Sequence, residues 1–283
     1  MIYDTPQAFR DAPDKRITLF GMSGLGKTHL SQILRARGDW FHYSIDYRIG
    51  TAYMGEFIAD DLKRHAMTVP HLARLLKSDS IYIGSNITFE NLTPLSNYLG
   101  KPGDPAKGGL SFQEYSLRQS QHERAELNAL LDTPFFIDRA RDIYGYGNFV
   151  CDTGGSIVEA VDPDNPDDEI MATLAAHTLP VWIEGDPSHT QTLIDRFARD
   201  PKPLCFRPDF LAARWAAEGG DDVDPDAFMR AIYAAAIHAR EPRYAKMARW
   251  GVSVSSKDVA QARDATDVIA MVAEAIGKRR TAS

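Results

Sequence analysis

The sequence predicts an α/β fold built on a five-stranded, mainly parallel sheet with helices on both faces. Three observations predict it. Short apolar runs alternate with stretches of helical periodicity, which is the pattern of parallel βαβ units. The first apolar run leads through a glycine-rich turn into a helix-forming segment. The chain has 283 residues, 44% of them hydrophobic and 25% charged, enough for a large globular core and unlike a disordered or fibrous composition.

The expected elements follow in chain order. Strands are predicted at residues 17–21, 40–46, 148–152, 179–184 and 251–255, each a short apolar or β-branched run. A helix over 27–37 follows the first strand. Residues 55–76 read as one helical stretch that leads into a long loop, 85–109, rich in Gly, Pro, Asn and Ser. Residues 162–169 read as a solvated acidic turn. A helix over 188–199 follows the fourth strand with Ser188 as its expected N-cap. Pro225 fits the first position of a helix over 225–240, where Phe228, Ile232, Ala235 and Ala236 recur at helical spacing. A final helix over 264–278 is expected to bury Val268, Met271, Val272 and Ile276. The whole is read as a single domain, 1–283, with an enlarged insertion at 50–124 and a lid segment at 199–225.

Charge and composition narrow the function. A net charge of −7 and a pI near 5.6 argue against a broad phosphate-neutralising surface, so no nucleic-acid partner is expected. The short basic run Lys278-Arg279-Arg280 reads as a solvated helix end. Cys151 and Cys205 stand far apart, with no CxxC pair and no zinc-ligand spacing, and are expected to be reduced and structural. The first fifteen residues lack a secretory pattern and no apolar run approaches the ~20 residues that span a bilayer, so no membrane partner and a cytoplasmic location are expected.

The chemistry begins at Gly21-Met22-Ser23-Gly24-Leu25-Gly26-Lys27-Thr28, which fits GxxxxGK[ST] between an apolar strand and a helix. Glycines let successive N–H groups turn toward phosphates at a helix N-terminus, whose partial positive charge also favours anions. Lys27 would reach the β- and γ-phosphates, and the Thr28 hydroxyl would hold Mg²⁺. The expected cofactors are therefore ATP and Mg²⁺, and the fold class becomes a P-loop NTPase three-layer sandwich.

In open α/β sheets, ligands gather beyond the carboxyl ends of the strands. Asp46, after the second strand, would orient or deprotonate an acceptor hydroxyl, or else cap the following segment. Asp152, after Phe149-Val150-Cys151, would join the Mg²⁺ shell or form a turn. Gly154 and Gly155 would let a ligand approach the backbone. His29 and His42 lie nearest these positions and read first as packing residues.

These pieces together resemble shikimate kinase and the related small-molecule P-loop kinases of the nucleoside-monophosphate-kinase-like group. The resemblance is carried by the P-loop, the acid after strand two, the Thr153-Gly154-Gly155 turn and the late segment Arg240-Glu241-Pro242-Arg243-Tyr244. It implies that Arg240 grips a carboxylate of the acceptor, a role for which a guanidinium's paired donors are suited. It also implies a lid cation over the phosphates, for which Lys202, Arg199 and Arg207 stand in the matching stretch. A further acceptor arginine has no clear match, with Arg118 and Arg124 in the right part of the chain. Three positions depart from the family: Ser44 replaces the first acid of a pair, Ser156 replaces a third glycine, and Lys202 stands near the lid arginine. The expectation is an ATP-dependent kinase acting on a hydroxyl of a small acidic metabolite. The alternative is an ATP-dependent switch that binds or hydrolyses ATP and meets a protein partner through residues 50–115.

Overall fold

The computed structural model describes residues 2–282, with side chains through 279; the Arg280 side chain of the expected basic tail lies outside the described residues. In chain order the elements are α1 (Pro6–Asp11), β1 (Arg16–Phe20), α2 (Lys27–Ala36), β2 (Trp40–Ser44), α3 (Ile45–Arg48), α4 (Gly55–Met67), α5 (Pro70–Lys77), α6 (Thr93–Leu99), α7 (Phe112–Leu131) and α8 (Thr133–Tyr144). They continue with β3 (Asn148–Asp152), α9 (Ile157–Ala160), α10 (Glu169–His177), β4 (Leu179–Glu184), α11 (Pro187–Arg199), α12 (Pro208–Glu218), α13 (Pro225–Met247), β5 (Val252–Ser255), α14 (Ser256–Gln261) and α15 (Ala265–Ala282).

All four strand pairings are parallel, in the order β2-β3-β1-β4-β5. This is an α/β fold of the P-loop type. β1 is central, with Leu19 opposite Asp152 of β3 on one side and Val181 of β4 on the other. Its Ile17, Leu19 and Phe20 are at most 1% exposed, each burial contributing about 1.5–3 kcal/mol. The buried Thr18 hydroxyl meets the Thr178 hydroxyl at 2.7 Å, which satisfies both polar groups inside the core.

The described chain divides into two compact units. The first holds the sheet and comprises residues 1–45, 127–200 and 232–283; the second comprises 46–126 and 201–231. In the second, the 204–206 backbone is tied to α7: Tyr115 and Gln119 each donate to Leu204 O at 3.1 Å, and Phe206 N donates to Gln119 Oε1 at 3.0 Å.

Several expected boundaries move, each for a physical reason. β2 stops at Ser44, and Asp46 falls in the short helix α3 instead of at the strand end. The stretch 55–76 is two helices, because Val69 is extended ahead of Pro70. The loop 85–109 contains a helix, α6, opened by Thr93-Pro94. The N-cap of α11 is Asp186, whose carboxylate accepts from His189 N, and Ser188 lies inside the helix as a donor to Asp186. Met271 is only half-buried, while Val268, Val272 and Ile276 are buried.

The largest shift is in α13, which runs through Pro242 to Met247 instead of ending near Arg240. Proline removes a helical hydrogen bond and crowds the preceding turn. Side chains on both sides of it are anchored instead: Arg240 to Glu159, Glu241 to Thr190, Arg243 to Val158 O and Val161 O, and Tyr244 to Gly155 O.

Candidate nucleotide-phosphate site

The loop between β1 and α2 turns on glycines. Gly21, Gly24 and Gly26 have φ of +143°, +79° and +98°, a region in which L side chains are strained. Space excludes a side chain as well. A Cβ on Gly21 would stand 2.7 Å from Ile183 O, and one on Gly26 would stand 2.6 Å from Val259 Cγ1. The loop is thus wedged between β4 and α14. α2 then begins at Lys27 with Gly26 as its N-cap, with no side-chain cap and no acid in its first turn. Its positive end therefore meets no carboxylate from within the helix.

Lys27 is 7% exposed and curls back over the loop, its Nζ donating to Gly21 O at 2.8 Å and Met22 O at 3.1 Å. Those carbonyls hold the ammonium at the concave side of the turn. Thr28 is exposed in the first turn of α2. Asp152 is buried at the end of β3, paired in register with both Leu19 and Ser44, and its Oδ2 lies 3.6 Å from His42 Nε2. His42 therefore faces the acid as well as packing in β2. His29 is exposed.

The turn after β3 reaches the loop directly. Thr153 donates through both N and Oγ1 to Leu19 O, and the Cβ position of Gly155 lies 3.4 Å from Ser23 N. Gly154 is buried, and Gly155 O accepts from the Tyr244 hydroxyl at 2.7 Å. Tyr244 in turn stacks on Phe20 of β1, with ring centroids 6.4 Å apart. The Thr-Gly-Gly turn, the P-loop and α13 are thereby joined within the first unit.

Arg240 is buried on α13 with its Nε on Glu159 Oε1 at 2.5 Å, the two side chains being 8% and 13% exposed. Glu159 was not among the expected site residues; no local pattern marks a carboxylate that acts as partner to a residue 81 positions away. A second omission is Arg196 on α11. Its Nη2 lies 3.8 Å from the Cβ position of Gly24, beside His189, whose Nε2 lies 3.2 Å from Ser23 O. Its spacing from Leu193, buried one turn earlier, carried the only available signal. Burial raises the Tyr233 hydroxyl pKa, and the charges of Arg240 and Arg196 oppose that rise, which places both guanidiniums in the field of one phenol. Arg199, on the same helix, is exposed and donates to Asp195 O.

A cavity of about 400 Å³ opens beside the loop, lined in part by Met22, Leu25, Trp182 and Tyr244 and by the carboxylates of Glu184 and Glu241. Like charge keeps phosphate out of its acidic side.

The remaining expected residues lie in the second unit. Asp46 is half-buried in α3. Arg118 is held by its own surroundings, donating to Asp61 at 2.8 Å, to Glu114 at 2.7 Å and to Tyr98 O. Arg124 and Lys202 are exposed, and Arg207 pairs with Asp209 at 2.8 Å. Neither cysteine forms a disulfide: in the first unit burial pushes the Cys151 thiol up to about 12, and Cys205 Sγ lies 3.1 Å from His122 Nδ1. Among the described residues, no group of three or more His, Cys, Asp or Glu is arranged to hold a metal ion, and no helix is long and apolar enough to cross a membrane.

No protein-family model matches the chain, and no curated protein matches it. Among solved structures it is similar to a shikimate kinase from Bacteroides thetaiotaomicron, at 14% identity over 95% of this chain and 97% of that one, with a TM-score of 0.34. A likeness that slight carries no argument about activity. The P-loop fold stands on the parallel sheet and on the strand-loop-helix geometry of residues 16–36.

Proposed function

We propose that the chain binds MgATP at Gly21–Thr28 and transfers the γ-phosphoryl group to a hydroxyl of a small, acidic acceptor. The observation that carries the reading is the loop itself. Three glycines in positive φ, a helix start without a side-chain cap and a curled-back lysine make a turn suited to polyphosphate, and a Cβ at Gly21 or Gly26 would collide with Ile183 or Val259 and force the loop out of this shape. When bound, MgATP supplies the activated phosphoryl group and the divalent charge that offsets its negative charge.

The chain's own residues would do the rest. Lys27 moves from the carbonyls of Gly21 and Met22 to the phosphate oxygens and neutralises charge that builds during transfer. The Thr28 hydroxyl and the Asp152 carboxylate are oxygen ligands of the kind Mg²⁺ takes. Asp46 orients the acceptor hydroxyl or takes its proton. Arg240 holds the acceptor's anionic group, and Glu159 fixes the guanidinium plane through Nε. Arg196 joins the phosphate side, a role expected for a cation beside Gly24, and Gly154 and Gly155 leave room for ligand against the backbone.

The deciding experiment is transfer of label from ATP to a panel of hydroxylated acids, sugars and nucleosides, comparing the native chain with Lys27→Ala and Arg240→Ala. Labelled product that disappears in both variants supports the kinase. Tight ATP binding with no acceptor in the panel would move the reading to an ATP-dependent switch.

A further inference from the structure

The segment between Ile58 and Ile87 departs from the rest of the molecule: it contains most of α4 and all of α5, yet none of its residues is buried. It is not a polar segment. Leu62, Met67 and Val69 are 41%, 40% and 45% exposed, and Tyr82 is 92% exposed. On α5, Leu72, Leu75 and Leu76 share one face at helical spacing and are only half-covered. An apolar stripe of this size normally lies against a core, and scattered single residues would need no explanation.

The middle of this segment is basic: residues 62–78 contain Lys63, Arg64, Arg74 and Lys77, with His65 and His71, and no Asp or Glu, in a chain whose net charge is −7. The acids that flank it are Asp60, 2.9 Å from Lys63 Nζ, Asp61, which pairs with Arg118, and Asp79. Between α4 and α5 lies a groove of about 360 Å³ whose walls include Met67, Leu76, Ile81 and Tyr82, with Lys63 and Lys77 at its edges and Asp79 as its one acid. A single acyl chain with an anionic headgroup matches it, the chain against the apolar wall and the phosphate against the lysines.

We infer that the α4–α5 hairpin is a docking surface for an anionic lipid bilayer. It lies on the interface and does not cross it. Its aliphatic side chains enter the headgroup-acyl boundary while Lys63, Arg64, Arg74 and Lys77 meet lipid phosphates and carboxylates.

The test is co-sedimentation of the full chain with phosphatidylcholine vesicles, with and without phosphatidylserine. The expected result is binding only to the phosphatidylserine vesicles, weakened by high salt because part of the attraction is screened. Two double variants at unburied positions, Leu72→Glu with Leu76→Glu and Lys63→Glu with Lys77→Glu, should each lower binding by about tenfold or more. Unchanged thermal unfolding and ATP binding in both variants separate this surface from the nucleotide site. The inference is overturned if phosphatidylserine vesicles do not sediment the chain, or if both variants sediment like the native chain. It is also overturned if an acidic amphipathic peptide, and not the vesicles, binds with the same dependence on these residues.

Discussion

The Lys27 ammonium is held by the carbonyls of Gly21 and Met22, and in the proposed site a polyphosphate would offer it stronger acceptors. Lys27→Ala leaves the loop glycines in place, so phosphoryl transfer should fall by about 10²–10³-fold with little change in unfolding temperature. Arg240 and Glu159 make the opposite case, since both are nearly buried and replacing Glu159 removes the carboxylate that meets Arg240 Nε. Glu159→Ala should therefore destabilise the fold by about 3 kcal/mol, read from the denaturant midpoint, and raise KM for the acceptor. His122 sets a pH dependence. Burial lowers its pKa to about 4 from an ordinary 6.5, so it stays neutral when folded while the unfolded chain takes up a proton. The unfolded state then binds more protons below 6.5, and stability should be full above that pH. It should be lost as pH falls toward 4, at about 1.4 kcal/mol per pH unit from this residue. Denaturant midpoints across this window, with His122→Gln flattening the profile, are the check.

Single elements owe their limits to caps and contacts that propensity does not show. α10 is capped by Asp168, whose Oδ1 accepts from Met171 N at 2.9 Å and whose Oδ2 accepts from Asp162 N at 2.8 Å, so one carboxylate both caps the helix and closes the acidic turn before it. Asp168→Ala should cost about 1 kcal/mol in stability. The start of α2 is limited by Gly26. Gly26→Ala meets both a φ of +98° and the Val259 side chain, and should destabilise by about 1–3 kcal/mol while weakening ATP binding, measured by thermal unfolding and titration. α13 shows how tertiary contacts override a local breaker: Pro242 is carried because the neighbouring turns are held by Glu159, Thr190, Val158 and Gly155.

For the whole molecule, the proposed nucleotide binding would be linked to folding. A ligand that binds only the native state stabilises it by about 2.7 kcal/mol at a hundredfold excess over Kd, so MgATP should raise the unfolding temperature of the native chain. Lys27→Ala should abolish most of that rise. A shift of equal size in both would mean that ATP binds away from the loop.

The sequence by itself determined what depends on near neighbours. The P-loop was legible because its chemistry needs only consecutive residues: glycines for the turn, then Lys27 and Thr28 at a helix start. The five strands were legible too, because a strand buried on both faces is a short continuous apolar run whatever its partners, and the observed sheet has them within a residue or two of the expected ends. Tertiary structure decided what joins residues far apart in the chain. Glu159 as partner of Arg240, Arg196 beside Gly24, His42 facing Asp152 and α13 continuing through Pro242 each depend on contacts between residues 51 to 172 positions apart. Spacing along the chain holds no information about such contacts, since they form only when the sheet brings its helices together.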